Sequence, residues 1–199
     1  MTPRLILIRH PQTQPDPADP ASSWRLSPAG EAQVRALVAA PLWDGITAIY
    51  TSQEYKAAAV GEAISAAHGI PHQRVSDLGE ARRDAWLGPD AFQVAQRAFF
   101  ARPDAPPVPE WESAAATQTR FVRAMDGVLA SHPAGESLAV VSHATVLALY
   151  LAHLCGRAPD IDDWRAIGFA AVMLVDRAAQ RPLTPFVSAP YTSLEAAHL

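Results

Sequence analysis

Cysteine and lysine each occur once in the 199-residue sequence, as Cys155 and Lys56. A lone cysteine excludes an intramolecular disulfide framework and a cysteine-based zinc site. Cys155 follows the apolar run Val146-Leu147-Ala148-Leu149-Tyr150-Leu151, so core packing is expected of it rather than nucleophilic duty. Positive charge is also short: 16 Lys and Arg stand against 20 Asp and Glu, a net charge of −4. That balance does not suit a general nucleic-acid binder. Apolar runs are brief. Leu5-Ile6-Leu7-Ile8 is too short for a signal-peptide core, and Ala144 to Cys155 falls below the roughly 20 residues of a membrane span. A soluble, cytoplasmic protein with no membrane partner is expected. Neither a Gly-x-Ser-x-Gly elbow nor a Gly-rich phosphate loop with its Lys is present, so serine hydrolase and nucleotide-dependent kinase chemistries lack their motifs.

What is present is a globular composition, with 49% hydrophobic and 18% charged residues. Disorder is excluded as the main state, and a single domain over residues 1–199 is the default. Leu5 to Ile8 has the continuous apolar pattern of a strand buried on both faces. Ser27-Pro28 reads as an N-cap with proline at the first helical position, opening a helix to about Ala40. Ile46 to Tyr50 reads as a strand, and Glu54 to His68 as an Ala-rich helix closed by Gly69. Helices are expected near residues 89–101 and 112–131, joined by a stiff proline-rich linker. Ser137 to Ser142 is another buried strand, Thr145 to Leu154 a helix, and Ala170 to Asp176 a last strand. The tail after Pro185 reads as irregular. Strands alternating with long helices predict an α/β three-layer sandwich, with a mostly parallel central sheet and helices on both faces.

Ligands in such folds bind beyond the carboxyl ends of the strands. The first strand ends in Arg9-His10, the second in Thr51-Ser52 with Lys56 four residues on, and the late one in Ser142-His143. Two histidines and two cations would therefore meet at one edge. A phosphoryl group, with two negative charges in a small volume, fits fixed donors of this kind. A neutral imidazole there can act as a covalent nucleophile toward phosphorus. Elsewhere, His68 and His72 have helix-like ligand spacing, but Gly69 and Pro71 break that helix. His132, before Pro133, reads as surface. Arg82-Arg83 is either a solvated pair or the rim of an anionic site.

Five segments resemble the motifs of the histidine phosphatase (phosphoglycerate-mutase-like) superfamily, in that family's order. They are Arg9-His10-Pro11-Gln12-Thr13, Leu26 to Gln33, Thr51 to Ala57, Leu78-Gly79-Glu80 with Trp86-Leu87-Gly88, and Ser142-His143-Ala144. The resemblance implies a metal-independent phosphomonoesterase that needs no cofactor and works on a small phosphorylated metabolite through a phosphohistidine intermediate. It implies that His10 is the nucleophile and Glu80 the general acid and base. Arg9, Lys56, His143 and Thr13 would bind the substrate phosphate. Mutase activity is less expected, since family mutases carry longer insertions that seal the pocket. Alpha-ribazole phosphate, a sugar phosphate and a phosphorylated protein histidine all remain open as substrates. Three positions depart from the pattern: Pro11 stands for Gly, Asp16 for Asn and Lys56 for Arg. They motivate the alternative of a weakened or inactive phospho-ligand binding protein on the same fold.

Overall fold

The computed structural model describes residues 2–83 and 86–198, with the side chains of 195–198 outside the description. Its strands are β1 (Arg4–Arg9), β2 (Ile46–Thr51), β3 (His72–Arg74), β4 (Ser137–Ser142), β5 (Val172–Asp176) and β6 (Arg181–Pro182). Its α-helices are α1 (Pro28–Val38), α2 (Tyr55–His68), α3 (Pro89–Ala101), α4 (Ala114–Ala130), α5 (Ala144–Leu154) and α6 (Ile161–Ala166). The strands form one sheet in the order β3-β2-β4-β1-β5-β6. β1, β2, β3 and β4 run parallel, and β5 and β6 add an antiparallel edge. The expected α/β sandwich is therefore present.

Alternation along the strands builds the three layers. Leu5 and Leu7 of β1 face one core with Phe121 and Met125 of α4 and most of α5. Ile6 and Ile8 face the other, with Leu37 of α1 and Val60 and Ile64 of α2. A strand with apolar side chains on both faces can only sit mid-sheet between two helical layers. α5 is buried nearly all round, and so it lacks the polar face of a surface helix.

Helix ends follow the sequence signals. Ser27 Oγ accepts the Gly30 N–H at 3.0 Å, with Pro28 opening α1. Gly69 closes α2 at φ 69°, a left-handed conformation that glycine adopts without a Cβ penalty. α1 stops at Val38 rather than Ala40, and α4 spans Ala114–Ala130. β3, α6 and β6 carry too few apolar residues to be seen in the sequence. The tail is more ordered than expected. Val187 bridges Val172, and a 3₁₀ segment over Tyr191–His198 drops Tyr191 and Leu194 into the core. Cys155 corrects its expectation: the apolar run ends with α5, and Cys155 caps that helix on the surface, exposed. His132 is half-buried rather than superficial, held between the Tyr50 hydroxyl and Glu136, each at 2.7 Å.

The Leu26 to Gln33 segment has a definite task, which is to dock the loop after β1. Gln33 Oε1 accepts the Gln12 N–H at 2.8 Å, and Ser27 Oγ donates to Gln12 Oε1 at 2.8 Å. A Cβ on Gly30 would collide with the Gln12 carbonyl. Alanine normally gains roughly 1 kcal/mol over glycine inside a helix. At Gly30 that collision reverses the sign, and Gly30→Ala is expected to lose about 1 kcal/mol or more by overpacking. A lowered urea midpoint reads this out; an unchanged or raised midpoint would mean the Gln12 loop yields freely.

Candidate active site

Sheet register brings the strand ends together. Arg9 pairs with Ser142 across β1 and β4, and Thr51 with Val141 across β2 and β4. Two further bonds extend the alignment past the strands: His10 N–H to Ser142 O at 2.8 Å and Ser52 N–H to Val141 O at 3.2 Å. His10, Ser52 and His143 are thereby neighbours on one edge. The two imidazole centroids lie 5.1 Å apart.

His10 is buried, at 7% exposure. Its Nδ1 lies 2.7 Å from the Pro11 carbonyl. A carbonyl only accepts, so Nδ1 carries the hydrogen and Nε2 carries the lone pair. Burial, then the neighbouring His143, Lys56 and Arg9, hold the pKa well below the ordinary histidine value. The ring is therefore neutral at physiological pH. Proline at position 11 does no harm to this arrangement, because the group used there is its carbonyl.

His143 is fully buried, with Nε2 at 2.8 Å from Ser52 Oγ and 3.2 Å from Glu54 Oε1. Its Nδ1 is buried and has no hydrogen-bond partner among the described residues. Burial and then Lys56 lower its pKa to about 3; Glu80 opposes the shift, and Arg83 and Arg9 add to it. Arg9 donates to Ile167 O at 2.6 Å and lies 3.9 Å over the Phe169 ring. Burial lowers its pKa to about 10, against the pull of Glu80, which leaves it charged at neutral pH.

Lys56 is no surface side chain. It is 5% exposed, and its Nζ donates to Ala21 O and Glu54 Oε2, both at 2.6 Å. Its charge reaches both histidines. Glu80 is half-buried. Its carboxylate accepts the Ala81 N–H at 2.9 Å and, at the N-terminus of α5, the Thr145 N–H at 3.2 Å. That helix end favours a negative group.

Arg9, His10, Lys56, Glu80 and His143 thus converge. Thr13 follows in the loop after β1, where its backbone bridges to Leu26. Asp16 is exposed, and its carboxylate turns to the Ala18 N–H at 2.9 Å. Arg82 is exposed and pairs with Asp77 at 3.4 Å. Arg83 is half-buried over Phe92 and Trp111, at 5.1 and 5.3 Å. His68 and His72 go to separate partners, Val38 O and Thr51 Oγ1.

Two participants were not legible in advance. Glu54 occupies an unspecified place in its motif, yet its carboxylate bridges Lys56, His143 and the Glu80 N–H, the last at 2.9 Å. Arg120 lies far away in sequence, on α4. Its guanidinium grips Glu112 as a fork, at 3.0 and 2.8 Å, and donates to the carbonyls of Asp77, Gly79 and Glu80. It fixes the backbone that carries Glu80.

A neutral buried imidazole, ringed by cations and a carboxylate, thus stands at the edge of the largely parallel sheet of an α/β protein. Over residues 5–185 the chain matches the model of the histidine phosphatase superfamily, branch 1, and it belongs to that family. No curated protein matches it in sequence. Solved structures share the fold. A phosphoserine phosphatase variant from Entamoeba histolytica, in complex with phosphoserine, is 17% identical with a TM-score of 0.74, covering 95% of this chain and 98% of that one. A mycobacterial glucosyl-3-phosphoglycerate phosphatase bound to inorganic phosphate is 20% identical with a TM-score of 0.71, covering 87% and 89%. YhfR of Bacillus stearothermophilus is 22% identical with a TM-score of 0.71, covering 94% and 95%.

The depressed His143 pKa has a consequence for stability. Below about pH 6.5 the unfolded chain takes up a proton at this position, which the folded chain refuses until about pH 3. Stability therefore falls as pH falls through that window. Relative to His143→Gln, the wild type is expected to lose about 1.4 kcal/mol more per pH unit there. Denaturant titrations at stepped pH measure this; equal slopes would show that folded His143 titrates near its ordinary value.

Proposed function

We propose that the protein is a metal-independent phosphomonoesterase acting on a small phosphorylated metabolite through a phosphohistidine at His10. One observation carries this above the others. The Nδ1–H bond to Pro11 O leaves Nε2 of a neutral, buried imidazole free as the attacking atom.

The step balances as an in-line displacement. His10 Nε2 forms a bond to phosphorus while the ester P–O bond breaks, and the carboxylic acid of Glu80 gives its proton to the leaving oxygen. The resulting Glu80 carboxylate then takes a proton from water, whose oxygen attacks phosphorus and breaks the N–P bond. Phosphate leaves and both residues return to their starting forms. Acid and base duty of this kind contributes about 10²–10⁴-fold. Arg9, Lys56 and His143 hold the phosphoryl oxygens and stabilise the charge that spreads over them. Hydrolysis is favoured over mutase transfer because a 199-residue chain leaves little room for an insertion sealing the pocket. The phosphatase neighbours support the reaction class.

Hydrolysis of p-nitrophenyl phosphate in the presence of a chelator tests the proposal. Wild type is expected to turn over, and His10→Ala to fall to background. Lys56→Ala is expected to lose about tenfold or more in kcat/KM, as the removal of a charge-assisted contact of about 1.5–3 kcal/mol requires. Wild-type activity no higher than that of His10→Ala would favour the alternative, a phospho-ligand binding protein without turnover.

A further inference from the structure

Glu54 stands inside the cluster that would hold the phosphoryl group. It is the N-cap residue of α2, and its side chain is 16% exposed. Three contacts fix the carboxylate: Lys56 Nζ at 2.6 Å, His143 Nε2 at 3.2 Å and the Glu80 N–H at 2.9 Å. Its own N–H is held by Ser52 Oγ at 3.3 Å. This is a built position and not a solvated side chain at rest.

The donors it occupies are those a phosphate would need. An ammonium has three hydrogens, and on Lys56 two are taken by Ala21 O and Glu54. Nε2 of neutral His143 likewise lies 2.8 Å from Ser52 Oγ and 3.2 Å from Glu54 Oε1, so both crowd the edge of the ring that would meet a phosphate. Formal charge gives the same answer. Arg9 and Lys56 supply two positive charges, the Glu54 carboxylate paired with Lys56 offsets one of them, and both histidines are neutral. A dianion entering beside Lys56 meets a carboxylate already bound to the same groups.

Resting on the phosphatase reading above, we propose that Glu54 is an internal counter-anion of the phosphate pocket that weakens its hold on dianionic phosphate and so speeds product release. It is a positioning residue, acting through Lys56 and His143 and never bonded to phosphorus. It holds the lysine in place in the empty site and competes with the phosphate in the filled one. A hydrolase gains from this, because inorganic phosphate must leave before His10 can attack again. The substrate then draws its affinity from contacts outside the phosphoryl group.

Isothermal titration of the purified protein with inorganic phosphate provides the test, and it needs no turnover. Glu54→Gln keeps the shape and an acceptor for the Glu80 N–H while removing the charge. The expected result is phosphate affinity tightened about tenfold or more, the effect of deleting one close like charge in a sheltered site. Glu54→Ala, as a second variant, is expected to move in the same direction. In turnover of p-nitrophenyl phosphate, kcat and KM of Glu54→Gln are expected to fall together as release slows. Unchanged or weaker phosphate binding in both variants would overturn the proposal and leave Glu54 a mere support for Lys56. A wild type that already binds phosphate at micromolar concentration would overturn it without any variant. Absence of wild-type turnover would strike the phosphatase reading alone, since the binding measurement stands apart from catalysis.

Discussion

The parallel pairing of β1 with β4 is the constraint on which the rest of this molecule depends. Arg9 opposite Ser142, followed by the His10 N–H bond to Ser142 O, leaves the two histidines no choice but adjacency. A register slip of one residue would turn every side chain of β1 to the other face. It would exchange Leu5 and Leu7 for Ile6 and Ile8 between the two cores and carry His10 away from the pocket. The same apolar alternation that stabilises the sheet therefore aims His10 at His143. The β1–β5 pairing finishes the job from the other side, since the turn before β5 supplies the Ile167 carbonyl and the Phe169 ring that seat Arg9.

Within that frame, charge is managed by geometry. Burial keeps both histidines neutral, and the nearby cations push in the same direction. The 15 arginines outnumber the lone lysine, and the structure shows two of them doing work that lysine could not. Arg177, 7% exposed, donates to the carbonyls of Leu129, His132, Pro133 and Glu136, closing the end of α4 onto β4. Arg120 similarly gathers three carbonyls around Glu80. A planar fork of five donors suits several fixed acceptors at once. Lys56, by contrast, meets two acceptors and retains a hydrogen to spare.

Much of this was legible in the sequence, wherever a local pattern carried it. The apolar runs of β1, β2 and β4, the Ser27-Pro28 start and the Gly69 stop are signals contained within a few residues, and they stand where expected. Arg9, His10, Lys56, Glu80 and His143 were readable from motif order, because each lies just past a strand or at motif spacing. What escaped was set by distant packing. β3 is a polar three-residue strand and α6 is only six residues long, too short for a periodic pattern to distinguish them from loop. Cys155 misled because an apolar run was extended one residue past the helix end. Glu54 and Arg120 derive their roles from partners 26 to 91 residues away in the case of the Ser52–Glu54 segment and about 40 residues away in that of Arg120. Spacing along the chain cannot report such contacts. Lys56 lies between the two cases: its singular identity drew notice, while its burial and its carboxylate partner required the fold.

The central claim is that phosphorus is transferred to Nε2 of His10. Glu80→Gln offers the most direct view, because a nitrophenolate leaving group needs no proton whereas hydrolysis of the N–P bond still needs a base. That variant, mixed with radiolabelled p-nitrophenyl phosphate and quenched in alkali, should accumulate an acid-labile phosphoryl group that maps to the peptide containing His10 and disappears in a His10→Ala background. Label on any other residue, or label that survives loss of His10, would contradict the account.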